Sequence, residues 1–237
     1  MNVWKNKMAS ELLMKLYPRI VQPIIIPHMW KLDKECVDGI YKKYTGEMHL
    51  EIGAGPNSQK HRSNTTVHYL DCNMEVLLEL KQKGEYNIHY GSLLNEEDYP
   101  MEKFDSVACM NVMHCIPDPN KWAKLFYNTN NVLKEDGVIF GSCVKNNNIY
   151  SQVLNMCGVF HNVHDTNDVI ELFSKRYFDK IHCGDIGNCS VFILKKKKKY
   201  SDASQVSYTH LGHHKENHHN DRDWHSEQQS PQTTICA

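Results

Sequence analysis

Short apolar runs alternate with amphipathic segments along most of this chain. The runs predict seven strands: His49–Ile52, Val67–Leu70, Tyr86–Tyr90, Ser106–Val112, Val138–Cys143, Tyr177–Cys183 and Cys189–Leu194. Apolar residues at helical spacing predict helices over 32–44, Met74–Lys83, Asn120–Leu133 and 166–175. Strands and helices that alternate in this way are typical of a doubly wound, mainly parallel α/β sheet. The last two strands flank Gly184 and Gly187, which predicts an antiparallel terminal hairpin.

The two ends of the chain differ in character from this middle part. Residues 1–45 combine a predicted helix over 11–17 with a proline-rich stretch, and we interpret them as an N-terminal cap. Residues 46–195 form the predicted main domain. Residues 196–237 are rich in His, Asn, Gln and Ser and almost free of apolar clusters, which predicts a disordered tail. The Lys195–Lys199 run is either a nuclear import or phosphate-binding patch or a solubilising end to the last strand.

Composition removes several functional classes. The formal net charge is −1, so no global field draws the chain to nucleic acid or to an acidic membrane. No apolar run approaches the roughly 20 residues that span a bilayer. The nine cysteines include no Cys-x-x-Cys pair, which argues against a zinc ribbon or a thioredoxin-type site, and we expect no metal. We interpret them as reduced thiols of a cytoplasmic protein.

A glycine turn follows the first predicted strand. Glu51 lies near the end of that strand, and Gly53 and Gly55 come directly after it. Glycine there permits a positive φ and lets a ligand approach the backbone. Asp71 ends the second strand, 20 residues after Glu51. A carboxylate at that place accepts hydrogen bonds from both ribose hydroxyls of an adenosine.

Two kinds of adenosine-containing ligand fit such a turn. The dinucleotide fingerprint Gly-x-Gly-x-x-Gly requires glycine at position 58, where this chain has Ser58. A nicotinamide-dependent oxidoreductase is therefore the less favoured alternative. A catalytically silent binding module is a further alternative, suggested by Asn57, by Ser92 and by the eleven residues that separate Gly55 from Val67.

Four segments in order resemble the motifs of the class I S-adenosylmethionine-dependent methyltransferases. These segments are Glu51–Gly55, Tyr69–Asn73, Phe104–Val107 followed by Asn111–Asp118, and Leu133–Gly141. The resemblance covers roughly residues 30–195. It implies a Rossmann-like domain that binds S-adenosyl-L-methionine and transfers its methyl group to another molecule.

The resemblance also implies a role for individual residues. The methionine half of the cofactor would be lined by Glu51, Gly53, Ala54 and Gly55. Asp71 would hold the ribose, with Cys72 beside the adenine. Ser92 and Leu93 would border the edge of the adenine. Asn111 would face the amino-acid end of the cofactor.

The acceptor side of the site is less defined by the sequence. His114 is the preferred candidate for a general base, because it follows the fourth strand, and the alternative is that it only packs or bonds the backbone. His28, His161 and His164 are further candidates for the base. Trp30 either covers the acceptor or anchors the N-terminal segment. The apolar N-terminal segment favours a small, partly hydrophobic acceptor, methylated on oxygen or nitrogen, over nucleic acid.

Overall fold

The computed structural model describes residues 30–55, 64–147, 149–156, 160–161 and 165–198. Its strands are β1 (Met48–Ile52), β2 (Thr66–Asp71), β3 (Ile88–Tyr90), β4 (Phe104–Met110), β5 (Leu133–Val144), β6 (Phe178–Ile186) and β7 (Cys189–Lys196). Its α-helices are α1 (Lys34–Tyr44), α2 (Met74–Gln82), α3 (Trp122–Val132), α4 (Ile149–Met156) and α5 (Thr166–Ser174). The predicted helix over 11–17, the crossover after Gly55 and the tail beyond Lys198 lie outside these residues.

The seven strands form one sheet in the order β3-β2-β1-β4-β5-β7-β6. Strands β1 to β5 pair in parallel, while β7 runs antiparallel to both β5 and β6. The predicted doubly wound sheet with its antiparallel terminal hairpin is therefore confirmed. The strand order reverses between β1 and β4, and ligands of open α/β sheets bind at the carboxyl ends of strands beside such a switch point.

Both faces of the central strands are covered, because alternate residues of a strand point to opposite sides. On one face Leu50 and Ile52 join the core formed with Trp122, Leu125 and Phe126 of α3. On the other face Ala108 and Phe140 pack with Ile40 and Tyr41 of α1. The first helix, which the sequence placed in an N-terminal cap, thus lies directly on the sheet.

Three local features differ from the pattern-based expectation. The segment 134–137, between the predicted helix and the predicted fifth strand, lies inside β5 as a bulge: Leu133 pairs with Phe104, Val138 pairs with Ser106, and Asp136 has φ 64°. Strand β4 ends two residues early, since Asn111 adopts φ 57°. Helix α4 has no counterpart among the predicted elements.

The lysine run is largely part of the fold where the structure describes it. Lys196 is buried, and its Nζ donates to the carbonyl oxygen of Leu133 at 2.7 Å. Lys195 pairs with Asp136 at 2.9 Å, and Lys197 donates to the carbonyl oxygen of Lys175 at 2.6 Å. These contacts fix the end of β7 against the β5 bulge, so the lysines have structural partners of their own.

Candidate active site

The glycine turn at the carboxyl end of β1 has a backbone that only glycine adopts easily. Gly53 has φ 64° and Gly55 has φ 62°. The Gly53 N–H donates to the carbonyl oxygen of Leu70 at 2.8 Å, which ties the turn to β2. A Cβ at Gly53 would lie 2.5 Å from Cγ2 of Val112. Val112 therefore fills the space that a side chain at position 53 would need, and Ala54 packs against the β2 side of the core.

Asp71 lies at the end of β2, beside this turn. Its carboxylate accepts hydrogen bonds from the backbone N–H groups of Asn73, at 2.8 Å, and of Gly55. Burial raises the pKa of Asp71 to about 6, against the lowering effect of these backbone donors. Cys72 follows with a partly exposed side chain. The structure thus brings Asp71 and the glycine turn into direct contact, as their placement at neighbouring strand ends predicts.

The connection after β3 is organised by a carboxylate that the sequence pattern did not identify. Asp98 accepts a hydrogen bond from the Ser92 N–H at 2.7 Å and another from the Asn95 amide at 3.1 Å. The Ser92 hydroxyl in turn accepts from the Leu94 N–H at 3.2 Å. The Leu93 side chain is buried in the core, so only its backbone borders this connection. Asp98 stands six residues after Ser92 and belongs to no motif, so only the folded loop reveals it.

Glu51 is buried, and two side chains bond its carboxylate. The Tyr41 hydroxyl donates to Oε1 at 2.6 Å, and Nε2 of His49 lies 3.2 Å from Oε2. Burial, followed by the nearby Glu51 carboxylate, raises the pKa of Tyr41, so its hydroxyl stays protonated. The sequence offered one indication of this contact: His49 and Glu51 are two apart on a strand and share a face. Nothing in the sequence pointed to Tyr41.

Asn111 ends β4 in a left-handed conformation that β5 holds in place. Its N–H donates to the carbonyl oxygen of Ser142 at 3.0 Å. The Ser142 hydroxyl donates to Oδ1 of Asn111 at 2.8 Å. A positive φ is uncommon in a residue other than glycine, and asparagine tolerates it better than most residues. The Asn111 side chain is thereby fixed at the same end of the sheet as the glycine turn.

His114 lies in an aromatic environment just beyond Asn111. Its ring is 4.3 Å from the ring of Phe160 and 5.8 Å from that of Trp30, measured between centroids. Nδ1 accepts a long hydrogen bond, 3.4 Å, from the Val144 N–H. Burial lowers the pKa of His114 to about 3, so the ring is neutral at physiological pH. The partly exposed His161 joins this cluster through a backbone bond from its N–H to the His114 carbonyl at 2.7 Å.

The β6–β7 turn holds the N-terminal segment against this cluster. The Asn188 N–H donates to the carbonyl oxygen of Trp30 at 2.7 Å. Gly187 has φ 61°, and a Cβ there would lie 2.2 Å from the carbonyl oxygen of Lys31. Trp30 and Phe160 thus meet over the carboxyl ends of β4 and β5. Of the other base candidates, His28 and His164 lie outside the described residues.

Comparison with known proteins identifies the activity that this geometry serves. The chain is 26% identical over 190 residues to the O-methyltransferase adaD of Aspergillus niger, covering 69% of this chain and 76% of that one. It is 27% identical over 212 residues to the physcion biosynthesis cluster O-methyltransferase of Aspergillus chevalieri, covering 80% and 93%. The chain is an S-adenosylmethionine-dependent methyltransferase. No protein-family model matches it.

Solved structures share the fold of this methyltransferase at low sequence identity. The N-methyltransferase NodS from Bradyrhizobium japonicum, in complex with S-adenosyl-l-homocysteine, superposes with a TM-score of 0.54 at 12% identity, covering 71% of this chain and 92% of that one. An O-methyltransferase family protein from Burkholderia thailandensis superposes with a TM-score of 0.60 at 11% identity, covering 84% and 62%.

The residues at the switch point fit the cofactor of this methyltransferase. The turn formed by Gly53 and Gly55, both at positive φ, lies at the carboxyl end of β1, where ligands of open α/β sheets bind. Asp71 supplies a carboxylate whose burial makes its charged form costly, and hydroxyl donors from a ribose would offset that cost. S-adenosylmethionine offers both a small amino-acid end and a ribose diol. None of the helices in the described part of the chain combines the length and apolarity that a membrane crossing requires.

Proposed function

We propose that this methyltransferase transfers the methyl group of S-adenosylmethionine to a hydroxyl oxygen of a small, partly apolar molecule. The observation that carries the cofactor assignment is the contact between Asp71 and Gly55 at the switch point. The preference for oxygen rests on the curated relatives, which include O-methyltransferases matched over 69% and 80% of this chain. The preference for an apolar molecule rests on the aromatic side chains over β4 and β5.

Each predicted cofactor residue has a proposed role that agrees with its position. Gly53, Ala54 and Gly55 border the methionine half through their backbone, with Glu51 beneath them. Asp71 accepts hydrogen bonds from the ribose hydroxyls. The adenine is bordered by the residues that follow β2 and β3, which are Cys72, Ser92 and Leu93. Asn111 faces the amino-acid end from β4.

The protein's own contribution to the reaction is placement and exclusion of water. The sulfonium of the cofactor supplies an electrophilic methyl group, so the acceptor oxygen needs only an in-line approach and the loss of its proton. Trp30, Phe160 and His114 pack into a buried, largely apolar cluster at the carboxyl ends of β4 and β5, and an apolar acceptor beside this cluster would be desolvated. A phenol, whose hydroxyl is acidic and whose ring is flat, suits that cluster better than an aliphatic alcohol.

His114 is proposed to shape this cluster, and its assignment as a base stays a prediction. In the tautomer that accepts from Val144, the proton is on Nε2, and no free ring nitrogen remains to take a proton. We expect His114→Asn, which keeps an acceptor for the Val144 N–H, to change the acceptor KM more than the shape of the pH–rate profile. An acidic limb that disappears from the profile of kcat/KM would instead establish His114 as the base.

Two measurements test the proposed function. Calorimetric titration of the full chain should detect binding of S-adenosylmethionine and of S-adenosylhomocysteine but not of NAD. A screen with radiolabelled methyl donor against paired phenols and anilines should label the phenols. Binding of NAD alone would overturn the assignment of the cofactor, whereas labelling of only the anilines would overturn the choice of oxygen.

A further inference from the structure

A chain of hydrogen bonds runs beneath the glycine turn, through Glu51. The Gly46 N–H donates to Oγ of Ser106 at 2.8 Å. Oγ of Ser106 lies 2.7 Å from Nδ1 of His49, and Nε2 of His49 lies 3.2 Å from the Glu51 carboxylate. The Tyr41 hydroxyl completes the chain on the other carboxylate oxygen. This hydrogen-bond chain connects α1, β1 and β4 at a single buried carboxylate.

The protons of this hydrogen-bond chain have a self-consistent assignment. Ser106 accepts from the Gly46 N–H, so its own hydroxyl proton is available to Nδ1 of His49. That leaves the ring proton on Nε2, where it points at Glu51. Glu51 then accepts one hydrogen bond on each oxygen, from Tyr41 and from His49, and these two bonds fix the position of its carboxylate.

Glu51 is a buried carboxylate whose side-chain partners are a tyrosine hydroxyl and a histidine ring. Within the described part of the chain, no lysine or arginine forms an ion pair with Glu51. A buried charge is costly unless it meets an opposite charge. Glu51 lies two residues before Gly53, beneath the turn proposed to border the methionine half. That half carries a cationic amino group, which is complementary to a carboxylate at this position.

We propose that Tyr41 and His49 are positioning residues that hold the Glu51 carboxylate in place for the cationic amino group of the cofactor. The inference rests on the proposed function, since it assumes that the cofactor binds at this turn. Tyr41 belongs to α1, so the helix that continues from the N-terminal segment also helps to set the cofactor's affinity. Ser106 contributes by fixing the tautomer of His49.

The test compares two ligands that differ in the amino-acid end. S-adenosylhomocysteine carries the amino group, whereas 5′-methylthioadenosine keeps the adenosine and the thioether but has no amino acid. Tyr41→Phe removes one donor to Glu51 and retains the ring. We expect it to weaken binding of S-adenosylhomocysteine about tenfold, the size expected for one hydrogen bond to a charged group. Binding of 5′-methylthioadenosine should be unchanged.

Matched variants separate positioning from general damage to the fold. Tyr44→Phe makes the same change on the same helix, where the Tyr44 ring also packs near Phe140, and it should leave both affinities intact. His49→Gln retains an amide donor and should bind S-adenosylhomocysteine better than His49→Leu does. Equal weakening of both ligands by Tyr41→Phe, or no weakening of either, would overturn the inference. If the wild-type chain binds neither ligand, the proposed function fails instead.

Discussion

Among single residues, Asp71 is the one whose chemistry depends most on its surroundings. Its carboxyl lies against the glycine turn, where burial raises its pKa to about 6. An aspartate in water is almost fully ionised at that pH, because its unperturbed pKa is about 3.9. The folded chain therefore holds a carboxyl that gains a proton in mildly acidic solution. A ribose diol, which donates two hydrogen bonds, binds the ionised form better than the protonated one.

This shift predicts a pH dependence of cofactor affinity. Below a pKa of about 6 the ionised fraction of Asp71 falls with pH, so a ligand that requires the carboxylate binds more weakly. One pH unit below that pKa about a tenth of the protein is ionised, and the apparent Kd for S-adenosylhomocysteine rises about tenfold. Calorimetric titration between pH 5 and pH 8 measures this dependence directly.

An amide at the same position provides the control. Asp71→Asn should bind S-adenosylhomocysteine weakly at every pH, since the loss of a charge-assisted bond costs about 1.5–3 kcal/mol. The affinity of this variant should also not fall between pH 8 and pH 5, because the carboxyl group assigned to that fall is absent. A decline of the same size in the asparagine variant would show that another group titrates. Asp118→Asn, which changes a cap next to α3, should behave as the wild type.

At the scale of elements, the β6–β7 hairpin is the part that holds the acceptor side together. In its turn, the Asn188 N–H donates to the carbonyl oxygen of Trp30. The Lys31 backbone leaves no room for a side chain at Gly187. Trp30 then reaches His114, which in turn packs against Phe160. None of the hydrogen bonds described above joins the hairpin to Asp71. The acceptor side and the adenosine side of the site thus depend on different elements.

Gly187→Ala should therefore affect the acceptor and spare the cofactor. The new Cβ would meet the Lys31 carbonyl, and its positive φ alone costs about 1–2 kcal/mol. We expect kcat/KM for a phenol found in the screen to fall about tenfold to hundredfold, because the acceptor side of the site shifts. The Kd for S-adenosylhomocysteine should stay within about twofold, which is within the scatter expected for sites that share no partners.

The same hairpin offers a second glycine as a control. Gly184 lies within β6, its φ is not in the left-handed region, and a Cβ there would meet only the His182 ring at 3.4 Å. Gly184→Ala should retain turnover. Equal losses of kcat/KM in the two variants would contradict the link between Gly187 and the N-terminal segment. A parallel loss of cofactor affinity in Gly187→Ala would contradict the separation of the two sides.

For the molecule as a whole, the position of the site follows from the order of the strands. The chain places β1 and β4 side by side, although 51 residues lie between Ile52 and Phe104. The glycine turn, Asp71 and Asn111 end neighbouring strands and so converge at one edge of the sheet. A ligand bound there bridges elements that are distant in the sequence. Binding must therefore stabilise the fold as a unit.

Ligand-induced stabilisation tests this expectation on the full chain. S-adenosylhomocysteine at 100 times its Kd should raise the free energy of unfolding by about 2.7 kcal/mol. For a chain of this size the melting temperature should rise by about 5–10 °C. The same concentration of NAD should leave it unchanged. Equal shifts with both ligands, measured by scanning calorimetry, would contradict the selectivity of the site.

Local features of the sequence determined the strands, most of the helices and the strand-end residues of the site. Strand and helix periods indicated the sheet and its terminal hairpin, because burial of alternate residues leaves a pattern of period two and helical burial one of 3.6. The glycine turn and Asp71 were predictable for a related reason, since a tight turn and a strand-end carboxylate are read from neighbouring residues. The β5 bulge was not predictable, because a turn motif and a bulge use the same residue types.

Tertiary structure alone decided the partners of those residues. The hydrogen bond from Tyr41 to Glu51 and the one from Ser92 to Asp98 form only in the folded chain. The same is true of the close approach of the Lys31 backbone to Gly187. The burial that raises the pKa of Asp71 and lowers that of His114 is likewise a property of the packed molecule. The sequence determined which groups stand at the ends of the strands, because that depends on local periodicity. Packing decided what each group touches, because hydrogen bonding and desolvation depend on distance in space.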